Sequence, residues 1–132
     1  MNKILTILFL LGIFGSLFGQ GTTTEDFDKL ICREWMLKFY EEEGDKFRPS
    51  QVQKDDGMIF YRDHKVKSIE VGLIQNGVWE YNPDKKLLSV VDNVTKEKLD
   101  LIVISLTGTA CVFEFTDSDG GKMKMHMVSG EN

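Results

Sequence analysis

The stretch GVWEYNPDKK, residues 77–86, joins a short aromatic segment to an abrupt turn. Gly77, Trp79 and Tyr81 are spaced by two, which is the repeat of a β-strand that presents one apolar face. The following Asn-Pro-Asp ends the strand, because proline has no amide hydrogen to donate to a sheet and asparagine and aspartate favour turns. We therefore interpret this stretch as a strand whose aromatic side chains face the interior of a folded sheet.

Short alternating segments of the same kind continue on both sides of this stretch. Seven further strands are predicted, at REWMLKFY (33–40), MIFY (58–61), VKSIEVG (66–72), LLSVV (87–91), KLDLIVISL (98–106), ACVFEF (110–115) and KMKMHMV (122–128). A turn is expected near Gln75-Asn76-Gly77, and the charged segment 41–57 is expected to form a long loop. No segment of helical period interrupts the last seven strands, so antiparallel pairing is favoured over parallel pairing through crossover helices.

The predicted strands each carry one apolar row and one polar row, and the apolar row must be covered. The only helical pattern after the first twenty residues is short, from about Thr24 to Ile31. One short helix cannot cover a sheet of eight strands, whereas closure of the sheet on itself covers the apolar face and removes the exposed edges. The predicted fold is therefore all-β: an antiparallel, up-and-down, eight-stranded barrel with a short N-terminal helix.

The beginning of the chain has the pattern of an export signal. Lys3 precedes the uncharged run ILTILFLLGIFGSLF, whose 15 residues fall short of the roughly 20 that a membrane-spanning helix needs. Cleavage is expected near Gly19-Gln20, which predicts a signal peptide over residues 1–19 and a barrel domain over residues 20–132. The expected location is the periplasm or the exterior of the cell, without a stable membrane anchor after cleavage.

Charge and cysteine content restrict the partners and the covalent chemistry of this domain. The chain has a net charge of −5, which disfavours binding to nucleic acid and to anionic lipid. Cys32 and Cys111 would enter an oxidising compartment, so a disulfide between them is permitted. Two separate buried thiols are the favoured alternative, and only the geometry of the fold decides between the two states.

Several short motifs together resemble the small lipocalin-like domain proteins exported by Bacteroidetes. They are Trp-x-Leu at Trp35 and Leu37, IFY with Phe60, GVWEY, and the aliphatic segment LDLIVISLT. The resemblance implies a lipocalin-like barrel of about eight strands but implies little about a ligand. One residue departs from the pattern, since Arg33 occupies a position that is usually glycine. Arg33 is interpreted either as a solvated residue at the barrel end or as an inward anchor for a ligand carboxylate.

Catalytic and metal-binding patterns are weak in this sequence. His64 lies in the predicted turn RDHK, and His126 alternates with lysines on a predicted outer face. Neither is spaced from a nucleophile or from other metal ligands in a way that indicates a catalytic triad or a metal centre. The segment DSDGG lacks the later ligands of a calcium loop, so a hairpin turn explains it better. The expectation is a protein that is not an enzyme and has no metal and no cofactor.

The barrel interior is the predicted site of ligand binding. Ten candidate ligand contacts are predicted to face inward: Trp35, Leu37, Phe39, Phe60, Trp79, Tyr81, Phe113, Phe115, Met123 and Met125. Met58, Ile69, Val71, Leu101, Val103 and Met127 are predicted to complete the interior. An eight-stranded barrel can be filled by such side chains or can hold one small ligand. The first hypothesis is a binder of a small apolar or amphipathic molecule, with the barrel mouth near residues 41–57. The second is a non-catalytic structural or interaction protein of the cell envelope with a filled barrel.

Overall fold

The computed structural model of the protein describes residues 24–129, which contain one helix and nine strands. The helix α1 covers Thr24–Ile31, as the sequence pattern predicts. The strands are β1 Glu34–Glu42, β2 Asp45–Phe47, β3 Gly57–Phe60, β4 Lys65–Glu70, β5 Leu73–Asn82, β6 Leu87–Asp92, β7 Lys98–Leu106, β8 Ala110–Thr116 and β9 Lys122–Ser129. A single 3₁₀ turn, Gln51–Gln53, lies between β2 and β3. The predicted signal peptide falls outside the described residues. No helix within residues 24–129 is long and apolar enough to span a membrane.

Eight of the strands form a closed antiparallel barrel. Strands β3 to β9 pair in chain order, and β1 pairs with β3 on one side and with β9 on the other. The closing ladder between β1 and β9 runs from Trp35 opposite Ser129 to Glu41 opposite Lys124. The ninth strand, β2, is a short hairpin partner of the last three residues of β1. The predicted up-and-down barrel with a short N-terminal helix is confirmed.

Strand β1 changes partners along its length, which shapes one end of the barrel. It pairs with β3 only over Glu34–Met36, and its last residues pair with β2 instead. Gly57 lies at the end of the β1–β3 ladder, where an added Cβ would collide with the carbonyl oxygen of Trp35. Glycine therefore permits the close approach of the two backbones at this point. Beyond it the N–H of Leu37 still donates to the carbonyl oxygen of Asp56 at 3.0 Å, and the end of β1 then pairs with β2 instead.

A β-bulge in β1 reverses the predicted orientation of its second half. The register with β9 shifts between Leu37 and Phe39. The extra residue moves Phe39 to the outer face, where its ring stacks on the ring of His126 with centroids 4.2 Å apart. The prediction that Phe39 faces the interior is wrong for this reason, because a bulge inserts one residue and exchanges the two faces beyond it. Tyr40 takes the inward position.

Strand β4 has the opposite phase from the one predicted. Met58 and Phe60, which face inward, pair with Ser68 and Val66, so these two residues share the inner face. Ile69 therefore lies in the outward phase, and Val71 lies in the turn after β4 with φ of 52°. The predicted inward phase of Ile69 and Val71 is wrong because Ser68 and Val66, and not Ile69, pair with the inward-facing Met58 and Phe60. Ile69 pairs with Gly57 and borders only the edge of the cavity described below.

Two further predictions about turns and loops are corrected by the observed pairing. The residues Gln75-Asn76-Gly77 lie inside β5, and the turn comes earlier, at Val71-Gly72. Gly77 lies within the strand. Glycine is required at this position because the backbone of Val91 leaves no room for a Cβ. The segment 41–57, predicted to be a long loop, contains the strand β2 and the 3₁₀ turn.

Candidate ligand-binding site

Helix α1 covers one end of the barrel, which we name the closed end. The ring of Phe27 stacks on that of Tyr81, with centroids 3.6 Å apart and an interplanar angle of 3°. The buried indole of Trp35 donates from Nε1–H to the carbonyl oxygen of Ile31 at 3.0 Å, which ties β1 to the end of the helix. These contacts place an apolar lid on the barrel and satisfy the polar atom of the buried indole.

Arg33 links the helix to a turn at the closed end. Its guanidinium group donates from Nη1 to the carbonyl oxygen of Gly108 at 2.6 Å and from Nη2 to the carbonyl oxygen of Lys29 at 3.2 Å. A cation bonded to carbonyls in the last turn of a helix is stabilised by the helix dipole. Arg33 is therefore neither a free surface residue nor placed in the cavity described below, and it holds the lid in place.

Trp79 is enclosed by three other rings at the closed end. Its side chain is 1% exposed. Phe60 meets it edge to face with centroids 5.9 Å apart, and the tilted ring of Phe27 lies at 6.1 Å. The imidazole of His64 stacks on the indole at 4.1 Å and approaches Asp28 of the helix at 3.8 Å. The indole Nε1–H donates to the carbonyl oxygen of Tyr61 at 3.1 Å. The interior of the closed end is thus filled by side chains.

The opposite end of the barrel, which we name the open end, contains a cavity of about 230 Å³. It lies next to Gly57, where the β1–β3 ladder ends. The cavity is lined by Leu37, Tyr40, Asp56, Gly57, Met58, Ser68, Ile69, Glu70, Leu99, Phe115, Met125 and Met127. Leu99 is 40% exposed although it is in phase with buried Leu101, so the cavity reaches solvent at this point. Three flexible methionine side chains in the wall can adapt to ligands of different shape.

A second cavity, of about 250 Å³, adjoins the first one. The two cavities share Met58, Ser68, Glu70 and Leu99 in their walls. The second is more polar, because it also reaches Gln75, Asn76, Asp92, Glu97 and Lys98. Together they form a region at the open end that is apolar toward the barrel centre and polar toward solvent. A pocket with this distribution suits a small molecule with an apolar body and one polar group.

Asp56 is the buried polar residue of the open-end cavity. Its side chain is 4% exposed, and its Oδ1 accepts a hydrogen bond from the backbone N–H of Val71 at 2.7 Å. Its Oδ2 is buried and has no hydrogen-bond partner within residues 24–129. Burial, with the negative charges of Asp56 and Glu70 nearby, raises the pKa of Tyr40. The cavity therefore combines an apolar wall with a region of negative potential.

The ten predicted contact residues fall into four positions. Leu37, Phe115 and Met125 line the cavity. Trp35, Phe60, Trp79, Tyr81 and Phe113 belong to the core or pack against it and do not line the cavity. Met123 is half-buried toward the rim of the open end, outside the cavity wall. Phe39 lies on the outer face. The prediction therefore included three wall residues and missed the polar ones, Tyr40, Asp56, Ser68 and Glu70, along with Leu99.

The groups considered for other chemistry lie away from this cavity. His126 contacts Glu41 at 2.7 Å on the outer face. Cys32 and Cys111 are both free thiols, and burial raises the pKa of the Cys111 thiol to about 12. In the segment DSDGG, Oδ1 of Asp117 accepts from the backbone N–H groups of Asp119 and Gly121, which makes it a turn. Among residues 24–129, no group of three or more His, Cys, Asp or Glu side chains is placed to hold a metal ion.

Comparison with known proteins identifies the fold. No protein-family model matches the chain, and a search of curated proteins finds no match. The crystal structure of a lipocalin-like protein from Bacteroides uniformis is similar, with a TM-score of 0.51 and 14% sequence identity. The similarity covers 75% of this chain and 97% of that chain. The fold of this protein is therefore a lipocalin-like barrel.

Proposed function

We propose that this protein is an exported, non-catalytic, lipocalin-like binder that holds one small apolar or amphipathic molecule at the open end of its barrel. The observation that carries this proposal is the cavity of about 230 Å³ between β1, β3, β4, β7, β8 and β9. The cavity occupies the interior of the barrel at the end that helix α1 does not cover. Its apolar wall provides the driving force for binding, and its polar residues can accommodate one polar group of the ligand.

The size of the cavity restricts the ligand that this proposal allows. Cavities that bind drug-sized molecules are commonly about 300–1,000 Å³ in volume. A cavity of about 230 Å³ therefore suits a short-chain or single-ring molecule, with a larger molecule extending into the adjoining space of about 250 Å³. Export to the periplasm or the exterior is a second part of the proposal and rests on the signal pattern of residues 1–19.

The protein purified from its own host provides the direct test of binding. Native mass spectrometry should show the chain with an additional small mass, and unfolding followed by refolding should remove that mass. N-terminal sequencing of the same material should begin near Gln20 if the signal peptide is removed. A bare mass before denaturation, together with no binding of short-chain alcohols, would contradict the binding function.

A filled-barrel interaction protein is the alternative, and one observation favours it. The hairpin between β4 and β5 exposes the aliphatic side chains of Val71, Leu73 and Ile74, of which Leu73 is 69% exposed. Neighbouring exposed apolar side chains are a common feature of protein interaction surfaces. This alternative predicts that a partner protein, and not a small molecule, is recovered with the purified chain. Charged substitution of Leu73 would then abolish recovery of the partner protein.

A further inference from the structure

The open-end cavity contains one buried acidic side chain, Asp56, of which only one carboxylate oxygen is hydrogen-bonded within the described residues. Asp56 lies just before β3, and its Oδ1 bonds to the N–H of Val71, which fixes the turn between β4 and β5. This bond explains the position of one carboxylate oxygen. The second oxygen, Oδ2, is buried in the cavity wall without a partner among the described residues. A buried carboxylate oxygen without a donor is unfavourable, so a donor supplied by a ligand would be stabilised there.

The charges around the cavity indicate the sign of that ligand group. Glu70 lies in the walls of both cavities, and Asp92 and Glu97 lie in the second. Asp92 stabilises the turn that follows β6, because its Oδ1 accepts hydrogen bonds from the N–H groups of Val94 and Thr95. The wall of the second cavity also contains Lys98, whose Nζ lies 3.8 Å from Oδ1 of Asp100. Negative charges therefore exceed positive charges at the open end, and an anionic ligand would be repelled.

We propose that the ligand of the open-end cavity is a cationic amphiphile, a primary ammonium group on a short apolar tail, whose ammonium group pairs with Oδ2 of Asp56. This inference rests on the proposed binding function and specifies the chemical class of the ligand. The ammonium group donates to Asp56 and lies close to Glu70. The tail extends between Leu37, Phe115 and Met125 toward the filled core. Such a pair is a charge-assisted hydrogen bond in a desolvated site, which is stronger than a neutral hydrogen bond.

Three probes with the same tail test the inference in the wild-type protein. n-Octylammonium, n-octanol and n-octanoate should be titrated by calorimetry at neutral pH. n-Octylammonium should bind roughly 10- to 100-fold more tightly than n-octanol, which corresponds to one charge-assisted hydrogen bond. n-Octanoate should bind more weakly than n-octanol. This series requires no substitution, so it tests the inference even if a variant does not fold.

Two matched variants assign the preference to the buried carboxylate. Asp56→Asn keeps an oxygen for the N–H of Val71 and removes the charge, so n-octylammonium should lose its advantage over n-octanol. Asp55→Asn makes the same change at an exposed neighbouring residue, and it should retain the advantage. An equal effect of both variants would attribute the preference to the general negative charge of the protein and would overturn the inference.

The remaining outcomes separate this inference from the proposed function. If n-octanol binds and n-octylammonium binds no more tightly, the cationic ligand class is wrong and the binding function stands. If n-octanoate binds most tightly, the inference is wrong in the sign of the charge. If none of the three probes binds, both the ligand class and the binding function are contradicted.

Discussion

The two ends of the barrel are built from the same alternation of side chains, yet they are packed differently. At the closed end, indole and phenyl rings meet a helix that supplies Phe27 and Ile31, and these two residues are fully buried together with Trp35 and Trp79. At the open end, the inward positions include methionines, a serine and two carboxylates, and helix α1 does not cover them. The comparison indicates that one end of the barrel provides stability and the other provides space. Substitutions at the two ends should therefore affect different properties.

The largest difference is expected between truncations of large side chains at the two ends. Trp79→Ala should lower the free energy of unfolding by about 3–5 kcal/mol, because it removes a buried ring that contacts Phe60, Phe27 and His64. Met125→Ala should cost less than about 2 kcal/mol, because Met125 is half-buried and already borders a cavity. Urea denaturation of the two variants measures this difference. Equal costs would mean that the open end is packed as tightly as the closed end.

The attachment of the lid should also depend on the hydrogen bonds that Arg33 donates at the closed end. Arg33→Ala removes the hydrogen bonds to Gly108 and Lys29 and should lower the free energy of unfolding by about 1–3 kcal/mol. Hydrogen exchange should report faster opening of helix α1 in this variant than of the strands. Arg62→Ala, at an exposed residue of the neighbouring turn, serves as the control and should change stability by less than about 0.5 kcal/mol. Identical behaviour of the two arginine variants would show that Arg33 does not hold the lid.

Filling the open end should affect binding without lowering stability. Ser68 lines both cavities and is half-buried, so Ser68→Leu places an apolar side chain in the space that a ligand would use. The binding of n-octanol should weaken by about tenfold or more, a loss of roughly 1.4 kcal/mol. The free energy of unfolding should stay the same or rise by up to about 2 kcal/mol, as for other cavity-filling substitutions.

A control at the adjacent residue completes that test. Lys67→Leu adds a similar side chain one position away, in the phase that faces outward. It should leave the binding of n-octanol unchanged. A large loss of stability in Ser68→Leu, with little change in binding, would mean that the cavity is too small to accept a leucine side chain and does not hold the probe.

The last predictions concern ionisation at the two ends, whose effect on stability appears only at high pH. Burial raises the pKa of Cys111, at the closed end, from 9.0 to about 12. Burial, together with Asp56 and Glu70, raises the pKa of Tyr40 at the open end. In both cases the fold disfavours the anion. The associated stability is therefore complete below the pKa of the unfolded chain, and for Cys111 it is lost as pH rises from about 9 to about 12.

Substitutions separate the effect of burial on these two pKa values from the effect of the nearby carboxylates. Cys111→Ala should flatten the loss of stability above pH 9, by at most about 1.4 kcal/mol per pH unit. Asp56→Asn should lower the pKa of Tyr40 and leave the pKa of Cys111 unchanged. Ultraviolet titration of tyrosinate and thiolate follows both groups. If Asp56→Asn leaves the titration of Tyr40 unchanged, the negative potential assigned to the open end is wrong.

Local alternation was sufficient to predict most of the barrel. The phases of Trp79 and Tyr81, and of Phe113 and Phe115, follow from apolar residues spaced by two within uninterrupted strands. Such strands need no knowledge of their partners, because the buried face is the apolar one. Helix α1 was predicted with its observed bounds for a similar reason, since its apolar residues have helical spacing.

The open end was predicted poorly because its geometry depends on pairing between distant strands. The bulge that places Phe39 outside and Tyr40 inside is defined by the register of β1 with β9. Ser68 faces inward because Met58 is its partner on β3, although Ile69 is the more apolar residue. Asp56 stands in a charged segment, KDDG, where nothing in the sequence distinguishes it from exposed Asp55. Its burial becomes evident only when its contacts with Val71 and Leu37 are known.

The central claim, that one end of the barrel is filled and the other can hold a ligand, is tested most directly by nuclear magnetic resonance. n-Octanol should be titrated into protein labelled at the methionine methyl groups and the tryptophan indole nitrogens. We predict saturable shifts of the Met58, Met125 and Met127 methyl signals, which line the cavity, and little change in the indole signals of Trp35 and Trp79. Saturable shifts of the indole signals without methionine shifts, or no saturable shift at all, would contradict the account.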